Sequence, residues 1–270
     1  MRLSQQNVSF SSEELDIRSF RLIPLITYPH YSESEYKARI TEMESLGVTS
    51  IILGGGCGRK TIINGAPVAG KGCVGIVVKS KMGNKVCALK IRRTDADRKT
   101  MDEEARLHRI ANRAGVGPVL EGQTKNLIAM EFVNGQSIID WVSGSHNNNS
   151  NNKTPLKSEI RAVATALLDQ CFSLDVAGLD HGELSRLARH VIIAEKPYII
   201  DFESASNKRK TCNVTSAAQS IFLFGLVADR VREILGNTDR QKVISALKTY
   251  KHFHTRANFD AVIDSLFKDF

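Results

Sequence analysis

Two short acidic segments in the second half of the chain carry the residue types best suited to chemistry. The first is Asp180-His181-Gly182-Glu183, and the second, Asp201-Phe202-Glu203, follows the apolar run Tyr198–Ile200. Two carboxylates at loop or strand ends can share one phosphoryl-transfer site, in which one orients or deprotonates an acceptor hydroxyl and the other holds magnesium. The apolar residues before Asp201 favour a dry setting, where a charge is normally paired or metal-bound.

A glycine-rich run lies more than a hundred residues upstream. Residues 70–77, Gly-Lys-Gly-Cys-Val-Gly-Ile-Val, have the spacing G-x-G-x-x-G-x-V. A dinucleotide-binding fingerprint or a Walker A loop needs a helix directly after its glycines, but a strand-like run follows here, and Gly72 stands where a Walker A loop has its hydroxyl. The pattern therefore leaves a glycine hairpin that folds over phosphates, with a plain β-turn as the alternative.

Lys90 closes the next strand-like run, Val86–Lys90. A strand lysine that reaches nucleotide phosphates needs a carboxylate to hold it in place. The following helix offers Glu103 and Glu104, and we prefer Glu104 because Leu107, which starts the apolar stripe of that helix, lies one turn further on. A solvated pair of glutamates is the alternative interpretation.

The elements that must position these residues change in type along the chain. Strand patterns dominate residues 61–133, with Gly83-Asn84 supplying the positive φ angles of a hairpin and one helix over residues 96–114. Helical patterns dominate residues 134–270, where Thr154 is predicted to cap a long helix and the helices 215–235, 238–250 and 257–270 follow. We therefore expect an α+β fold with a small antiparallel sheet and a reduced helical part.

Two further segments stand apart in this reading. Residues 1–60, with a helix over 32–46 and a strand over Val48–Leu53, are predicted to be an appendage. Residues 143–153 hold five asparagines and no apolar side chain, which is typical of a mobile loop.

Composition excludes several classes of protein. The 270 residues are 42% hydrophobic and 24% charged, which is ordinary for a globular chain and rules out fibrous or wholly disordered ones. The longest apolar run is too short to cross a bilayer, and the N-terminus has no apolar core, so we expect neither a membrane nor a secretory signal. The five dispersed cysteines predict free thiols in a reducing cytoplasm, and the net charge of +8 suggests a polyanionic partner.

Taken in order, these motifs resemble the protein kinase-like fold over roughly residues 61–222. The loop HGELS, with Ser185 where ordinary kinases have Lys, is similar to that of the atypical RIO kinases and of the small kinase of the archaeal tRNA-threonylcarbamoylation complex. The segments HGELSR and IIDFE resemble the corresponding motifs of the archaeal predicted serine/threonine protein kinase family. The resemblance implies a bilobal fold, an N-lobe over residues 61–133 and a C-lobe over residues 134–270.

The resemblance also implies roles for individual residues. Lys90 pairs with Glu104 and binds phosphate, Glu183 is the catalytic acid or base, and Asp201 binds Mg²⁺ or Mn²⁺. The implied nucleotide-binding residues are Gly70, Lys71, Gly72, Gly75, Val77, Lys90, Glu104, Met130, Glu131 and Val133.

The chain departs from the family pattern at several of these positions. Glu183 is one methylene longer than the usual Asp, and Ala188 stands where a metal-binding Asn is expected. His190 takes the place of that Asn only if two residues are inserted. Glu203, in the place of a glycine, either binds metal with Asp201 and His190 or locks its loop.

The expected function is transfer of the ATP γ-phosphoryl group to a protein hydroxyl, with autophosphorylation included. A nucleotide-binding pseudokinase scaffold and a small-molecule phosphotransferase or ATPase remain alternatives. Basic residues, chiefly Arg92, Arg93, Arg98, Lys99 and Lys208–Lys210, keep an RNA or ribonucleoprotein partner open, although residues 208–210 also fit a solvated loop.

Overall fold

A computed structural model describes residues 12–54, 61–144 and 154–267. The chain divides into two compact units, and each is built from both helices and antiparallel strands. The first unit comprises the chain up to Met101 together with Glu121–Phe132, and the second comprises Asp102–Leu120 and Val133–Phe270. The mixed α and β class expected from the sequence is confirmed.

The first unit is built on a seven-stranded sheet. Its strands run in the order β1-β2-β6-β7-β9-β8, with β5 paired to β6, and β3 and β4 form a separate two-stranded hairpin. The bounds are β1 (Glu13–Asp16), α1 (Ile23–Ile26), α2 (Glu33–Ser45), β2 (Val48–Leu53), β3 (Thr61–Ile63), β4 (Ala66–Val68), β5 (Gly70–Lys71), β6 (Gly75–Met82), β7 (Lys85–Arg92), β8 (Leu120–Gln123) and β9 (Leu127–Glu131).

The tight turn between β6 and β7 follows from its two central residues. Met82 pairs with Lys85, so only Gly83 and Asn84 connect the strands. Gly83 has a φ of +57°, while Asn84 is not among the residues with positive φ. This is the pattern of a type II′ turn, which needs positive φ at its first central residue alone. The hairpin was predicted correctly, but the expectation of positive φ at Asn84 was wrong.

The segment before Thr61 is not a separate appendage in this structure. Its strand β2 pairs with β1 on one edge and with β6 on the other. Its side chains Leu22, Ile26 and Met43 are fully buried, in the same core as residues of β6, β7 and β9. The described part of this segment therefore completes the sheet and core of the first unit, because the apolar side chains of β2 are buried together with those of β6, β7 and β9.

The second unit is mainly helical. Its elements are α3 (Asp102–Arg113), β10 (Gln136–Ser137), α4 (Ile138–Val142), α5 (Lys157–Val176), β11 (Val191–Ile193), β12 (Pro197–Ile199), α6 (Asn213–Ala218), α7 (Leu226–Leu235), α8 (Arg240–His252) and α9 (Arg256–Phe267). The strands β10, β11 and β12 form a small antiparallel sheet. Short 3₁₀ turns cover Leu184–Arg189 and Phe202–Ser204.

Helix α5 is central to the second unit, and its predicted apolar stripe is buried. Ile160, Leu167 and Cys171 on this helix are at most 1% exposed. They belong to one core cluster with the apolar residues of α6 to α9. Burial of such a stripe supplies most of the stabilisation of an amphipathic helix.

Three helix boundaries differ from expectation. The helix predicted from residue 96 begins at Asp102, because the Met101 N–H is used by the carbonyl of Lys125. Helix α5 begins at Lys157 rather than at a Thr154 cap, since Glu159 accepts a 2.6 Å hydrogen bond from the Leu156 N–H. The helix predicted over 215–235 is broken by a π-helical turn and by Gly225, whose φ is +94°.

The predicted boundary between the lobes also differs from the units observed. Helix α3 was placed with the preceding strands, but it groups with the second unit. Its apolar residues Leu107 and Ala111 lie in the core cluster of that unit. The expected mobile loop, residues 143–153, lies outside the described residues except at its first two positions.

Candidate functional site

The glycine-rich run forms a hairpin in the first unit. Gly70 pairs with Val77, and the Gly72 N–H donates a 2.8 Å hydrogen bond to the carbonyl of Gly75. A Cβ atom at position 75 would lie 3.0 Å from the Ile91 carbonyl oxygen and 3.1 Å from Cγ of Lys90. Glycine at this position therefore lets the hairpin approach the strand that carries Lys90.

The predicted nucleotide-binding residues are divided between the units. Lys90 on β7 lies opposite Val77 and is only 4% exposed, while Met130 and Glu131 lie on β9 beside it. Lys71 is exposed and lies 5.1 Å from the ring centre of Tyr28, which Arg93 also approaches. The remaining two, Glu104 in the first turn of α3 and Val133, belong to the second unit.

The two acidic segments lie side by side within the second unit. The backbones of Asp180 and Ser206 exchange two hydrogen bonds, of 2.9 and 2.8 Å. Asp201 has a left-handed conformation, with φ +69° and ψ +81°. A non-glycine residue is strained in this region, and such strain concentrates at functional sites. The structure thus brings together the loops that carry Glu183 and Asp201.

Glu183 is half-buried and bonded on both oxygens. Its Oε1 accepts a 3.1 Å hydrogen bond from the hydroxyl of Ser204. Its Oε2 lies 3.4 Å from a guanidinium nitrogen of Arg186 and 3.8 Å from Nε2 of His190. The carboxylate is therefore oriented from the loop of the second acidic segment as well as from its own.

His181 is fully buried beneath this loop, and its hydrogen bonds determine its tautomer. Nε2 lies 3.0 Å from the carbonyl of Ile200, and Nδ1 accepts from the Glu183 N–H at 3.4 Å. Both contacts suit a neutral imidazole with its proton on Nε2. Burial lowers the pKa of His181 to about 4, so the ring is neutral at physiological pH.

His190 lies next to both Glu183 and His181. Its ring centre is 5.4 Å from that of His181. Burial lowers the pKa of His190, while the carboxylates of Asp201 and Glu183 oppose that shift. Its Nδ1 is buried without a hydrogen-bond partner.

Arg209 ties the two acidic segments together. Its Nε donates to Oδ2 of Asp180 at 2.9 Å, and its NH2 donates to the carbonyl of Ser204 at 2.7 Å. Gly182, with φ +85°, makes room for it, since a Cβ there would lie 2.7 Å from the same carbonyl and closer still to the guanidinium. Arg209, whose side chain is half exposed, is thus a brace between the two loops.

The buried carboxylate of Asp175, which the sequence analysis did not single out, holds the acidic loop in place through Asn213. Asp175 on α5 accepts hydrogen bonds from the backbone N–H groups of Asn213 and Val214, from the Asn213 amide and from the Tyr250 hydroxyl. Asn213 in turn accepts from the His181 N–H at 2.9 Å. Asp175 lies in the apolar stripe of α5, and no motif surrounds it. A lone carboxylate among apolar residues was the one sequence signal of a buried charge, and it did not identify the partners.

Phe202 anchors the second acidic segment to α3. Its ring is 1% exposed and lies 4.9 Å, centre to centre, from that of His108. A Cβ at Gly117 would come within 2.8 Å of the Phe202 ring. The aromatic residue of this motif is therefore packed inward, which fixes the direction of the chain at Asp201.

The carboxylates on these loops are ligands of the kind that Mg²⁺ prefers. Among the residues with described positions, no group of three or more His, Cys, Asp or Glu side chains is arranged to hold a metal by itself. Mg²⁺ is commonly held by one or two carboxylates together with phosphates and waters, for which Asp201 and the neighbouring Glu203 are suitable. The nitrogen of His190 suits a transition-metal ion better.

Fewer of the predicted polyanion-binding residues are exposed than the sequence suggested. Arg92 is buried and donates to Asn126, and Arg93 pairs with Asp95. Arg98 is half-buried, whereas Lys99, Lys208, Arg209 and Lys210 are exposed, although Arg209 is paired with Asp180. The four described cysteines are free thiols, of which Cys73 is exposed and the other three are buried or half-buried, and Cys57 lies outside the described residues.

No protein-family model matches the chain. One relative is the uncharacterized protein MJ1211 of Methanocaldococcus jannaschii, which is 30% identical over 106 residues. The match covers 39% of this chain and 83% of that protein. The chain belongs to the same family as this archaeal protein. Within the described residues, no helix is both long and apolar enough to cross a membrane.

Proposed function

We propose that the chain is an atypical serine/threonine protein kinase that transfers the γ-phosphoryl group of ATP to a protein hydroxyl. In this proposal the fold is protein kinase-like, with the first unit as the sheet-bearing lobe and the second as the helical lobe. The protein acts in the cytoplasm and uses Mg²⁺ or Mn²⁺ with the nucleotide.

The observation that carries the proposal is the pairing of the two acidic segments. Glu183 and Asp201 lie on loops joined by the Asp180–Ser206 bridge and by the bond from Ser204 to Glu183. Phosphoryl transfer needs one carboxylate beside the acceptor hydroxyl and another beside the metal. The hairpin at Gly75, pressed against Lys90 in the first unit, supports the proposal independently, since this is the arrangement expected of residues that contact phosphates.

Each of these residues has a task in the proposed reaction. Glu183 accepts the proton of the acceptor hydroxyl, for which its Oε1 already holds a hydroxyl at hydrogen-bond distance. Asp201, with Glu203 beside it, would hold the metal ion, which supplies neutralisation of phosphate charge when it is bound. Lys90 binds phosphate oxygens. His181, neutral and buried, supports the loop that carries Glu183.

The proposal is tested by autophosphorylation: this protein, first dephosphorylated, is incubated with labelled ATP and Mg²⁺ or Mn²⁺. Wild type is expected to transfer label, and Lys90→Ala and Asp201→Ala are expected to abolish the transfer. Asp169→Asn, a surface change on α5, is the matched control and retains it. Transfer by wild type no faster than by Asp201→Ala would remove the proposal.

A nucleotide-binding scaffold without turnover is the second candidate. It is favoured by Ala188 in the place of a metal-binding Asn and by the bonds that already engage both oxygens of Glu183. A thermal shift with ATP, measured with and without Mg²⁺ beside the turnover assay, separates the two. Binding without turnover would favour the scaffold, whereas turnover lost in Asp201→Ala excludes it.

A further inference from the structure

A serine of this chain occupies the place where the proposed reaction needs an acceptor hydroxyl. The Ser204 hydroxyl donates to Glu183 Oε1 at 3.1 Å. A general base must lie within about 2.6–3.2 Å of the group whose proton it removes, and this contact meets that requirement. Ser204 also lies three residues after Asp201, the proposed metal-binding carboxylate.

The position of Ser204 is fixed by several independent ties. Arg209 donates to the Ser204 carbonyl at 2.7 Å and to Asp180 at 2.9 Å, and the backbone bridge from Asp180 to Ser206 closes the same segment. On the other side, the buried ring of Phe202 anchors it. The backbone of Ser204 is therefore held in place by several bonds of the fold, on the loop next to Glu183.

Neighbouring serines differ from Ser204 in this respect. The Ser206 hydroxyl accepts from the Lys208 N–H. Within the described parts of the chain, the hydroxyl that donates to Glu183 is that of Ser204. Cations also stand near it, since Arg186 lies 3.4 Å from Glu183 and Arg209 bonds the Ser204 carbonyl. They would balance the charge of a phosphate formed there.

We propose that Ser204 is an intramolecular phosphoryl acceptor, a conclusion that rests on the proposed kinase function. In the step, the bond between the γ-phosphorus of ATP and its bridging oxygen breaks, and a bond from that phosphorus to Ser204 Oγ forms. The hydroxyl proton passes to Glu183, and ADP leaves. In the product the Ser204 Oγ is the ester oxygen of a phosphoserine and carries no proton, so this acceptor takes up one phosphoryl group per chain.

The test incubates the full chain with labelled Mg²⁺-ATP, followed by intact-mass measurement and phosphopeptide mapping. Wild type is expected to gain one phosphoryl group, at Ser204. Ser204→Ala is expected to lose this label, whereas Ser204→Thr, which keeps a hydroxyl, and the matched control Ser206→Ala keep it. The rate per chain is expected to be independent of protein concentration.

A mixing experiment tests whether the step occurs within one chain. Asp201→Ala chains, which keep Ser204 but not the metal-binding carboxylate, are mixed with active Ser204→Ala chains. No label is expected at Ser204, and label appearing there would overturn the intramolecular assignment.

Formation of ADP, followed in parallel, distinguishes failure of this inference from failure of the proposed function. ADP formation that depends on Asp201, with Ser204 unlabelled, overturns the acceptor assignment and leaves the kinase proposal standing. If neither ADP nor labelled Ser204 is formed, both the acceptor assignment and the kinase proposal are overturned.

Discussion

Both the backbone conformation and the space at position 182 of the acidic loop favour glycine. Its φ of +85° is left-handed, and the place of a Cβ is filled by Arg209 and the Ser204 carbonyl. A side chain here would have to displace the brace that joins the two acidic segments. Glycine thus serves both the turn and the close approach.

We predict that Gly182→Ala lowers the free energy of unfolding by about 2–4 kcal/mol, from backbone strain and lost Arg209 bonds. Gly178→Ala is the matched control, because Gly178 also has positive φ, +68°, but open space around the Cβ position. It is expected to lose about 1 kcal/mol. Urea denaturation measures both, and equal losses would show that the brace adds nothing.

His181 makes the stability of the protein depend on pH. Its folded pKa of about 4 lies below the ordinary value of 6.5, so the unfolded chain binds the proton first as pH falls. We predict that stability is lost between about pH 6.5 and pH 4, by up to about 1.4 kcal/mol per pH unit from this group. His190, with a lowered pKa, acts in the same direction.

Denaturation at a series of pH values tests this prediction. His181→Gln keeps an N–H to donate to the Ile200 carbonyl but cannot titrate, so it is expected to have a shallower slope in that window. Identical slopes in wild type and variant would assign the pH dependence to other groups.

At the residue scale, local spacing was sufficient to select Glu183, Asp201 and Lys90 as candidates. It could not supply their contacts. The partner of Asp180 is Arg209, and the bonds of His181 reach Ile200 and Asn213. Such partners lie some twenty to thirty residues away, and only the folded chain brings them together.

At the scale of elements, the junction between α5 and α6 holds the acidic loop in place. Asp175 accepts from the first N–H groups of α6, which have no partner within that helix. The Asn213 side chain then binds the His181 N–H. One buried carboxylate thereby connects two helices and the loop of Glu183.

We predict that Asp175→Asn costs about 3 kcal/mol or more, because an amide must turn its own N–H₂ toward donors that are buried. Asp169→Asn on the same helix is the control. Its partner is Arg256 at the surface, so it is expected to cost less than about 1 kcal/mol. Comparable losses in urea denaturation would contradict the role given to Asp175.

Apolar periodicity predicted the existence of most helices and strands, since burial of one face stabilises an element wherever it begins. It did not predict their ends. The start of α3 depends on a hydrogen bond from Met101 to Lys125, and the start of α5 on Glu159. Competing bonds of this kind decide boundaries, and they are visible only in the structure.

At the scale of the whole molecule, the segment before Thr61 has a different place from the one expected. Four of the six residues of Val48–Leu53 are apolar, which indicates a strand with a face buried in a core. It lies between β1 and β6, and Ile51 is fully buried. The composition of the run was a signal for this, but it did not specify which strands it would join.

We predict that a chain starting at Thr61 fails to form a stable first unit. Removal of β2, α1 and α2 would expose apolar residues such as Ile76 and Leu89, which share a core with them. Circular dichroism melting and limited proteolysis test the truncated chain. An unchanged melting temperature with a protected sheet would return the segment to the status of an appendage.

The central claim is that Glu183 accepts the proton in a phosphoryl transfer from ATP. The most direct measurement is the transfer rate of Glu183→Gln, which keeps the shape of the side chain but not its basicity. The rate is expected to fall by about 10²–10⁴-fold, while Glu195→Gln, a surface change, leaves it unaltered. A Glu183→Gln rate equal to that of wild type, or a wild type without transfer, would contradict the account.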